Sequence, residues 1–326
     1  MSRLNQILAA TLVVQIILVG AIFLWPRPAA SSASGPLLPN YKAADVTGLT
    51  LTNGEGKRLA LAKNGESWVL SEAGDYPVDS TKVTPFLEKL EKVKSNRLVA
   101  KTEASHAQLK VATDSYESLV ELKLKDGTTH KLYLGSSAGA SATHVRSDDQ
   151  PEVYLSGDIN SFDANANASA WIDTLYFTVP QTATVGITLE NANGTFEFVK
   201  EGEKWTMKGL AAGETFNENN FFPFMNQAIG LRMTEPLGKE NSWFGSNRPQ
   251  ATVTVLTQEG SQTKSYTLEI GDKDAKDNSY VVKASNSPYY VRLAEFTAKT
   301  FVDKKREDFL QAPPTAEPGA VGTPTP

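Results

Sequence analysis

The chain of 326 residues contains no cysteine. This absence excludes a disulfide framework, a thiolate nucleophile, cysteine-ligated zinc and iron–sulfur clusters. It also excludes a lipid anchor attached to an N-terminal cysteine. Thiol chemistry and disulfide cross-links are therefore excluded.

Histidine is scarce, with only three residues, His106, His130 and His144. None of them lies four residues from another or beside a carboxylate cluster suited to zinc. A histidine-dependent triad or a metal hydrolase is therefore not expected. His130 and His144 fall in alternating runs, which predicts surface or half-buried positions on strands.

A strong charge of either sign is also missing. The 32 Lys and Arg residues nearly balance the 37 Asp and Glu residues, and the formal net charge of -5 is spread along the chain. A nucleic-acid partner would require a concentrated basic surface. The composition therefore predicts that the protein does not bind nucleic acid.

One long segment lacks charge altogether. No residue from 4 to 26 is charged, and residues 7–25 read ILAATLVVQIILVGAIFLW. A helix of this length covers ~28 Å, close to the ~30 Å hydrocarbon thickness of a bilayer. We predict a retained transmembrane helix. The alternative is a cleaved secretory signal, because Ser31-x-Ala33 resembles a cleavage site, but the apolar part of a signal usually runs only ~7–15 residues.

The remaining sequence contains an internal repeat, because residues 46–177 align with residues 185–310. Gly65-Glu66-x-Trp68 recurs as Gly202-Glu203-x-Trp205. Further matches are Gly48 with Gly186, Leu51 with Leu189, Asp79 with Asn217, Pro85 with Pro223, Phe86 with Phe224, and Gly135 with Gly271. Solenoid and propeller units recur at roughly 20–50 residues, so this longer period indicates two domains of one fold.

Each copy carries the signals of a sheet and a helix. Three alternating runs, 49–51, 59–61 and 68–70, are separated by NGEG and KNGE and predict a three-stranded meander. Asp79 then stands at a helix N-cap before apolar residues at spacings of three and four. Four further strand-like runs, 119–124, 130–134, 143–146 and 152–155, predict an antiparallel sheet with one face exposed to solvent.

The predicted fold class is α+β, with two tandem homologous domains, each an antiparallel sheet packed by a helix, behind one N-terminal transmembrane helix. The predicted divisions are a membrane anchor at 1–27, a flexible linker at 28–44, repeat domains at 45–178 and 179–311, and a disordered Pro-rich tail at 312–326. Trp68 and Trp205 are predicted to be core residues, and the alternative is a stacking platform for sugars or peptides.

Two motifs suggest chemistry and are rejected on context. Gly135–Gly139 spells G-x-S-x-G after a strand, as in a hydrolase nucleophile elbow, but a strand rather than a helix follows. Asp272, Asp274 and Asp277 could hold calcium weakly, but they lack the turn glycine and terminal glutamate of a calcium loop. We therefore predict no catalytic, cofactor-binding or metal-binding residues and no cofactor.

The order of these motifs resembles the bacterial DUF4340 family. The resemblance rests on Glu66-x-Trp68, the capped helix with its aromatic stripe, Leu134-Gly135 at a strand end, and Pro151-x-x-Tyr154, and it covers nearly all of residues 46–310. It implies a family without an established biochemical function, often found beside components similar to gliding-motility ABC exporters. It supplies no functional residue.

We therefore expect a non-enzymatic, single-pass membrane protein whose bulk lies outside the cytoplasm, in the periplasm or at the cell surface. Residues 7–25 contact the membrane, and the resemblance implies that the protein partner is an ABC-type transporter, for which this chain is an accessory module. The alternative is an extracytoplasmic ligand-binding protein or enzyme with its site between the repeats, since duplicated domains often bind ligands at their interface.

Overall fold

The computed structural model describes residues 11–12, 14–15, 35–139, 141–147, 150–240 and 248–312. Apart from residues 11, 12, 14 and 15, the predicted membrane anchor at 7–25 lies outside these ranges, as does the predicted tail from residue 313 onward. Within these ranges, no helix is both long and apolar enough to cross a bilayer. The fold is mixed, with antiparallel sheets and few helices.

Nine antiparallel strands form the sheet of the first half, which we define as residues 35–172. They are β1 (Val46–Asn53), β2 (Arg58–Asn64), β3 (Ser67–Leu70), β4 (Tyr76–Pro77), β5 (Leu98–Ala100), β6 (Ser118–Leu124), β7 (Thr129–Ser137), β8 (Thr143–Ser147) and β9 (Val153–Ser156). Their order is β4-β3-β2-β1-β6-β7-β8-β9-β5. Strands β1 to β3 are the predicted meander, and β6 to β9 are the four predicted later runs.

The described residues of the first half form two α-helices, of which the sequence predicted one. Helix α1 (Ser80–Glu91) begins after Asp79, whose carboxylate accepts a hydrogen bond from the Thr81 amide at 3.0 Å. Its buried side chains are Val83, Phe86, Leu87 and Leu90, which confirms the predicted stripe. Helix α2 (Glu103–Gln108) was not predicted, because its six residues carry too short an apolar pattern.

The second half, residues 174–312, has an eight-stranded antiparallel sheet and a separate two-stranded ribbon. The ribbon pairs β10 (Leu175–Thr178) with β14 (Gly230–Arg232). The sheet strands are β11 (Thr184–Asn191), β12 (Gly194–Glu201), β13 (Lys204–Met207), β15 (Glu235–Gly238), β16 (Ala251–Glu259), β17 (Gln262–Lys273), β18 (Tyr280–Ala284) and β19 (Tyr290–Leu293), and the helices are α3 (Glu218–Ile229) and α4 (Glu295–Val302).

The strand orders of the two sheets correspond. The second sheet has the order β13-β12-β11-β16-β17-β18-β19-β15. Without its edge strand β4, the first sheet has the same order when β1 is matched with β11, β2 with β12, and so on along the chain. In each sheet the short strand that follows the 12-residue helix lies at the far edge. That strand pairs with the last strand of its own half.

The two matching tryptophans are buried. Trp68 in β3 is 5% exposed and Trp205 in β13 is 8% exposed. The Trp205 ring lies 5.1 Å from the ring of Phe221 on α3, so it fills the space between sheet and helix. Neither side chain can serve as a surface stacking platform, and both belong to the core as predicted.

Residues 35–44 pack on the first half, which corrects the predicted flexible linker for this stretch. The Leu37 amide donates to the Val93 carbonyl at 2.8 Å, and Leu37 is 1% exposed. The hydroxyl of Tyr41 donates to the Leu87 carbonyl at 3.0 Å, and burial raises the pKa of this phenol. The Pro- and Ser-rich composition concealed these apolar side chains. The rest of the predicted linker, 28–34, lies outside the described residues.

A returning segment closes each half over its helix. We name residues 157–172 and 295–310 the closing segments. The Asp79 amide donates to the Trp171 carbonyl at 2.8 Å, and the Asn217 amide donates to the Phe309 carbonyl at 2.9 Å. The Trp171 ring lies 5.2 Å from that of Phe86. Helix start and segment end are therefore fixed together in both halves.

Substituting Asn217 by alanine tests the cap of α3. Its side-chain oxygen accepts from the amides of Asn219 and Asn220 at 3.1 and 3.4 Å. Loss of a cap of this kind costs about 1 kcal/mol of unfolding free energy. Urea denaturation should show this loss for Asn217→Ala and a change near zero for the control Asn219→Ala. Equal stability of both variants would contradict the assigned cap.

Substituting Phe309 by alanine tests the second closing segment. Phe309 is fully buried, with its ring 4.8 Å from Phe198 and 5.4 Å from Phe224. Truncation of a buried phenylalanine costs about 3–5 kcal/mol. The control is Phe296→Ala, because Phe296 is 83% exposed on neighbouring α4, and its effect should stay within about 0.5 kcal/mol. Similar losses in both variants would contradict the account.

Candidate functional site

Tyrosines hold the two halves together. The ring of Tyr289 lies 4.7 Å from the ring of Tyr76, and its hydroxyl donates to the Asp75 carbonyl at 2.9 Å. The hydroxyl of Tyr176 donates to the Tyr289 carbonyl at 2.7 Å and accepts from the Ala284 amide at 2.8 Å. The contact is therefore both aromatic and hydrogen-bonded, and it fixes the position of one half on the other.

A cleft of about 390 Å³ lies between the two halves. The first half contributes Lys57, Asn167 and Ser169 to its walls, and the second half contributes Glu235, Arg292 and Glu295. The Lys57 ammonium donates to the Asn167 side-chain oxygen at 2.8 Å. This is the place where a ligand site between the halves would lie.

Arg292 is the central charge of the cleft. Its Nη1 donates to Asp274 Oδ2 and to Ser279 Oγ, both at 2.8 Å, and lies 3.5 Å from Asp277 Oδ2. Its Nε lies 2.8 Å from Glu235 Oε1, although the alignment is not that of a hydrogen bond. Arg292 thus ties the 274–279 loop to β15 and β19.

Three carboxylates in or next to the cleft have a lowered pKa. Hydrogen bonds from the Lys276 amide and Arg292 lower the pKa of Asp274, and those from Ser279 lower the pKa of Asp277. Hydrogen bonds from Lys273 and Lys299 lower the pKa of Glu295. A general acid at neutral pH requires a carboxyl group whose pKa is raised. These three groups therefore do not suit that role.

The predicted acidic loop does not gather into a metal site. Asp274 and Asp277 face Arg292, whereas Asp272 Oδ1 accepts from the Gln250 side-chain amide at 2.9 Å. Throughout the described ranges, no group of three or more His, Asp or Glu side chains is placed to bind a metal ion. The loop is an arginine-centred network that holds the backbone in place.

The G-x-S-x-G motif lies at the end of β7, where the pairing with β8 is irregular between Leu134 and Ser137. The serine at the nucleophile position of the motif is Ser137, the exposed last residue of β7. The structure brings His144 to Ser136, with Nδ1 2.8 Å from the Ser136 carbonyl and 3.1 Å from Ser136 Oγ. A carbonyl oxygen only accepts, so Nδ1 carries the proton and cannot also take one from Oγ. The Ser136 hydroxyl donates instead to the Leu109 carbonyl at 3.2 Å. This pair is structural.

Gly135 explains why the motif begins with glycine. A Cβ at this position would lie 2.2 Å from the Leu109 carbonyl oxygen and 2.8 Å from that of Lys110. The glycine thus permits the turn after α2 to approach β7. The first glycine of the motif is therefore a packing requirement.

The other two histidines are separate from this pair. His106 is 8% exposed, and its Nε2 lies 2.7 Å from the Pro151 carbonyl, which it ties to α2. His130 lies on β7, as predicted, with its ring 6.4 Å from that of Tyr41. Its Nε2 is buried without a hydrogen-bond partner among the described residues. The structure does not bring the three histidines together.

Comparison with known families decides the classification. The chain matches the family described as a domain of unknown function, DUF4340, over residues 68–241. The chain belongs to the DUF4340 family. The match begins at Trp68 in β3 and ends just after β15, so it includes parts of both halves. No curated protein and no solved structure matches the chain.

The tyrosine contact of this DUF4340 protein gives a prediction for alkaline pH. Burial, and then the charges of Tyr176, Asp173 and Tyr289, raise the pKa of Tyr76 from 10.0 to about 12. The folded protein therefore favours the neutral phenol. This contribution to stability is complete below pH 10.0 and is lost as the pH rises through about 12.

The variant Tyr76→Phe has no phenol to ionise at this position. Its unfolding free energy should fall less than that of the wild type between pH 10.0 and about 12. Denaturant titrations at several pH values measure both curves, and the same titrations near neutral pH serve as the reference. Parallel curves across the alkaline range would contradict the assigned burial of Tyr76.

Proposed function

We propose that this chain is a membrane-anchored, extracytoplasmic, non-enzymatic accessory module of an ABC-type transport system, built from two copies of one α+β unit. One observation carries the proposal. In the described part of the chain, His144 is bonded to Ser136 rather than to the exposed motif serine Ser137, and the carboxylates around Arg292 are engaged in bonds that hold the backbone. The protein therefore acts by binding other molecules at its surface.

Several details support two copies of one unit. The strand orders correspond, and both 12-residue helices carry a proline at the sixth position, Pro85 and Pro223. The pairing irregularities also recur at matched places, before Gly48 and before Gly186. A second matched pair of irregularities lies just after Leu134 in β7 and just after Ile270 in β17. Such irregularities are conserved within families and rarely coincide by chance.

Two exposed aromatic side chains support a protein partner. Phe162 on the first closing segment is 85% exposed, and Phe296 on α4 is 83% exposed. Side chains this exposed add little to folding and are available to a partner, for which aromatic anchors are favoured. The edge strands of both sheets are only two to four residues long, which limits pairing with other chains.

The membrane and transport parts of the proposal have separate supports. The anchor rests on the uncharged stretch from residue 4 to 26. The transport system rests on the family resemblance, which implies a setting beside gliding-motility ABC exporters. The alternative, a ligand-binding protein or enzyme with a site between the halves, has the cleft at Arg292 as its one candidate place. The lowered pKa of Asp277 disfavours a carboxyl general acid there.

Site-specific crosslinking in intact membranes tests the proposal. A photoreactive amino acid would replace Phe162 or Phe296 in the full chain, and mass spectrometry would identify the products. We expect one predominant product, with a component of an ABC-type transporter, from at least one of the two positions. The matched control position is Glu203, a turn residue whose side chain is 97% exposed, and it should give no such product.

Recovery of the chain alone from both phenylalanine positions would overturn the accessory role. A product of equal yield from Glu203 would show contact by proximity and remove the support that the exposed aromatics give. Small-molecule turnover that is lost in Arg292→Met but kept in Phe162→Ala would favour the alternative with its site in the cleft.

A further inference from the structure

The described chain enters the first half at Gly35. The Ser95 amide donates to the Gly35 carbonyl at 3.0 Å, and Pro36 pairs with Lys94 as an isolated antiparallel bridge. The loop that follows α1 therefore lies directly beside this entry point. Residue 35 lies ten positions after residue 25, so the two are at most ~36 Å apart. An anchor at 7–25 would keep this loop within that distance of the bilayer.

Positive charge is concentrated in this loop and in the residues on either side of it, although the protein as a whole is acidic. Residues 89–101 include five Lys and Arg residues and a single Glu, while the whole chain has a net charge of -5. Lys89 pairs with Asp163 at 2.8 Å, and Lys101 pairs with Glu152 at 3.2 Å. The remaining three cations of the loop, Lys92, Lys94 and Arg97, are exposed to solvent.

Lys42, from the entry segment, adds a fourth exposed cation. Lys42 and Lys94 line one open cleft of about 530 Å³ together with Gly35 and Asn40. Glu91 also reaches this cleft, but its carboxylate accepts from the Ala43 amide at 2.5 Å. Within the residues that the structure describes, none of Lys42, Lys92, Lys94 and Arg97 forms an ion pair. We name these four residues the basic face.

A purely structural role explains only part of the basic face. Cations near the C-terminus of a helix stabilise it through the macrodipole, and Lys92 is the C-cap of α1. That effect falls off within the last turn of the helix. Lys94 and Arg97 lie beyond the helix end, and Lys42 belongs to another segment. Helix stabilisation therefore does not account for three of the four cations.

We infer that the basic face docks on anionic phospholipid headgroups of the membrane that holds the anchor. The inference rests on the proposed membrane anchoring. Cations beside an anionic bilayer are attracted to it over about one Debye length, ~8–10 Å at physiological salt. Docking of this face would orient the first half with its entry point toward the lipid.

Energy transfer on the full chain in vesicles tests the inference. Because the chain has no cysteine, Glu88→Cys on α1 gives a single dye position near the basic face, and Ser261→Cys gives one at the turn between β16 and β17. The acceptor is a headgroup-labelled lipid. The vesicles contain phosphatidylcholine alone or phosphatidylcholine partly replaced by phosphatidylglycerol.

We expect phosphatidylglycerol to increase transfer from position 88 and added salt to reverse the increase, with little change at position 261. Each cation removed should lower the ratio of docked to undocked protein about fivefold. The double variant Lys92→Glu, Lys94→Glu should therefore lose the increase. The matched control, Lys204→Glu with Lys276→Glu, reverses two exposed cations of the second half and should keep it.

Each other outcome has one meaning. Equal transfer in both vesicle types, or an increase that survives the double reversal, overturns the inference while the anchor stands. Reduced thermal stability of the double variant without a change in transfer assigns the lysines to the helix end alone and also overturns it. If an alkaline wash releases the unmodified chain from the vesicles, the proposed anchor fails and the inference fails with it.

Discussion

The return of a closing segment to the start of its helix is the constraint on which both halves depend. The first amides of a helix have no partner within the helix. Here the amide of the N-cap residue, Asp79 or Asn217, donates to the carbonyl of a buried aromatic residue, Trp171 or Phe309. One bond therefore joins the helix start to the segment end, and the aromatic ring beside it covers the helix and the sheet.

The two halves fill the space under this closure with different side chains. In the second half, Phe196 and Phe198 of β12 lie against Phe309, at ring distances of 5.9 and 4.8 Å. In the first half, Leu59 and Leu61 of β2 stand at the matching positions. The first half thus has the larger ring on its closing segment, Trp171 where the second half has Phe309, and the smaller side chains on its strand. Protein cores tolerate exchanges of this kind when the total volume is kept.

The sequence predicted the parts of the fold whose signals are local. Alternation and Asn-Gly turns located the meanders, and Asp79 and Asn217 located the helix starts. It missed strands β5 and β15, because three or four residues whose partners lie more than 50 positions away leave no local pattern. It missed α4, which begins after Ala294 without a side-chain cap. The inter-half tyrosines and the Arg292 network likewise depend on long-range contacts that spacing does not reveal.

Hydrogen exchange at two backbone amides tests the shared closure most directly. The amides of Asp79 and Asn217 should both exchange only through cooperative opening, as slowly as amides in the central strands β1 and β11, because each is bonded to a buried closing segment. If either amide exchanges as fast as the exposed turn at Gly65 or Gly202, that half is not held by its closing segment, and the account of one closure used twice is wrong.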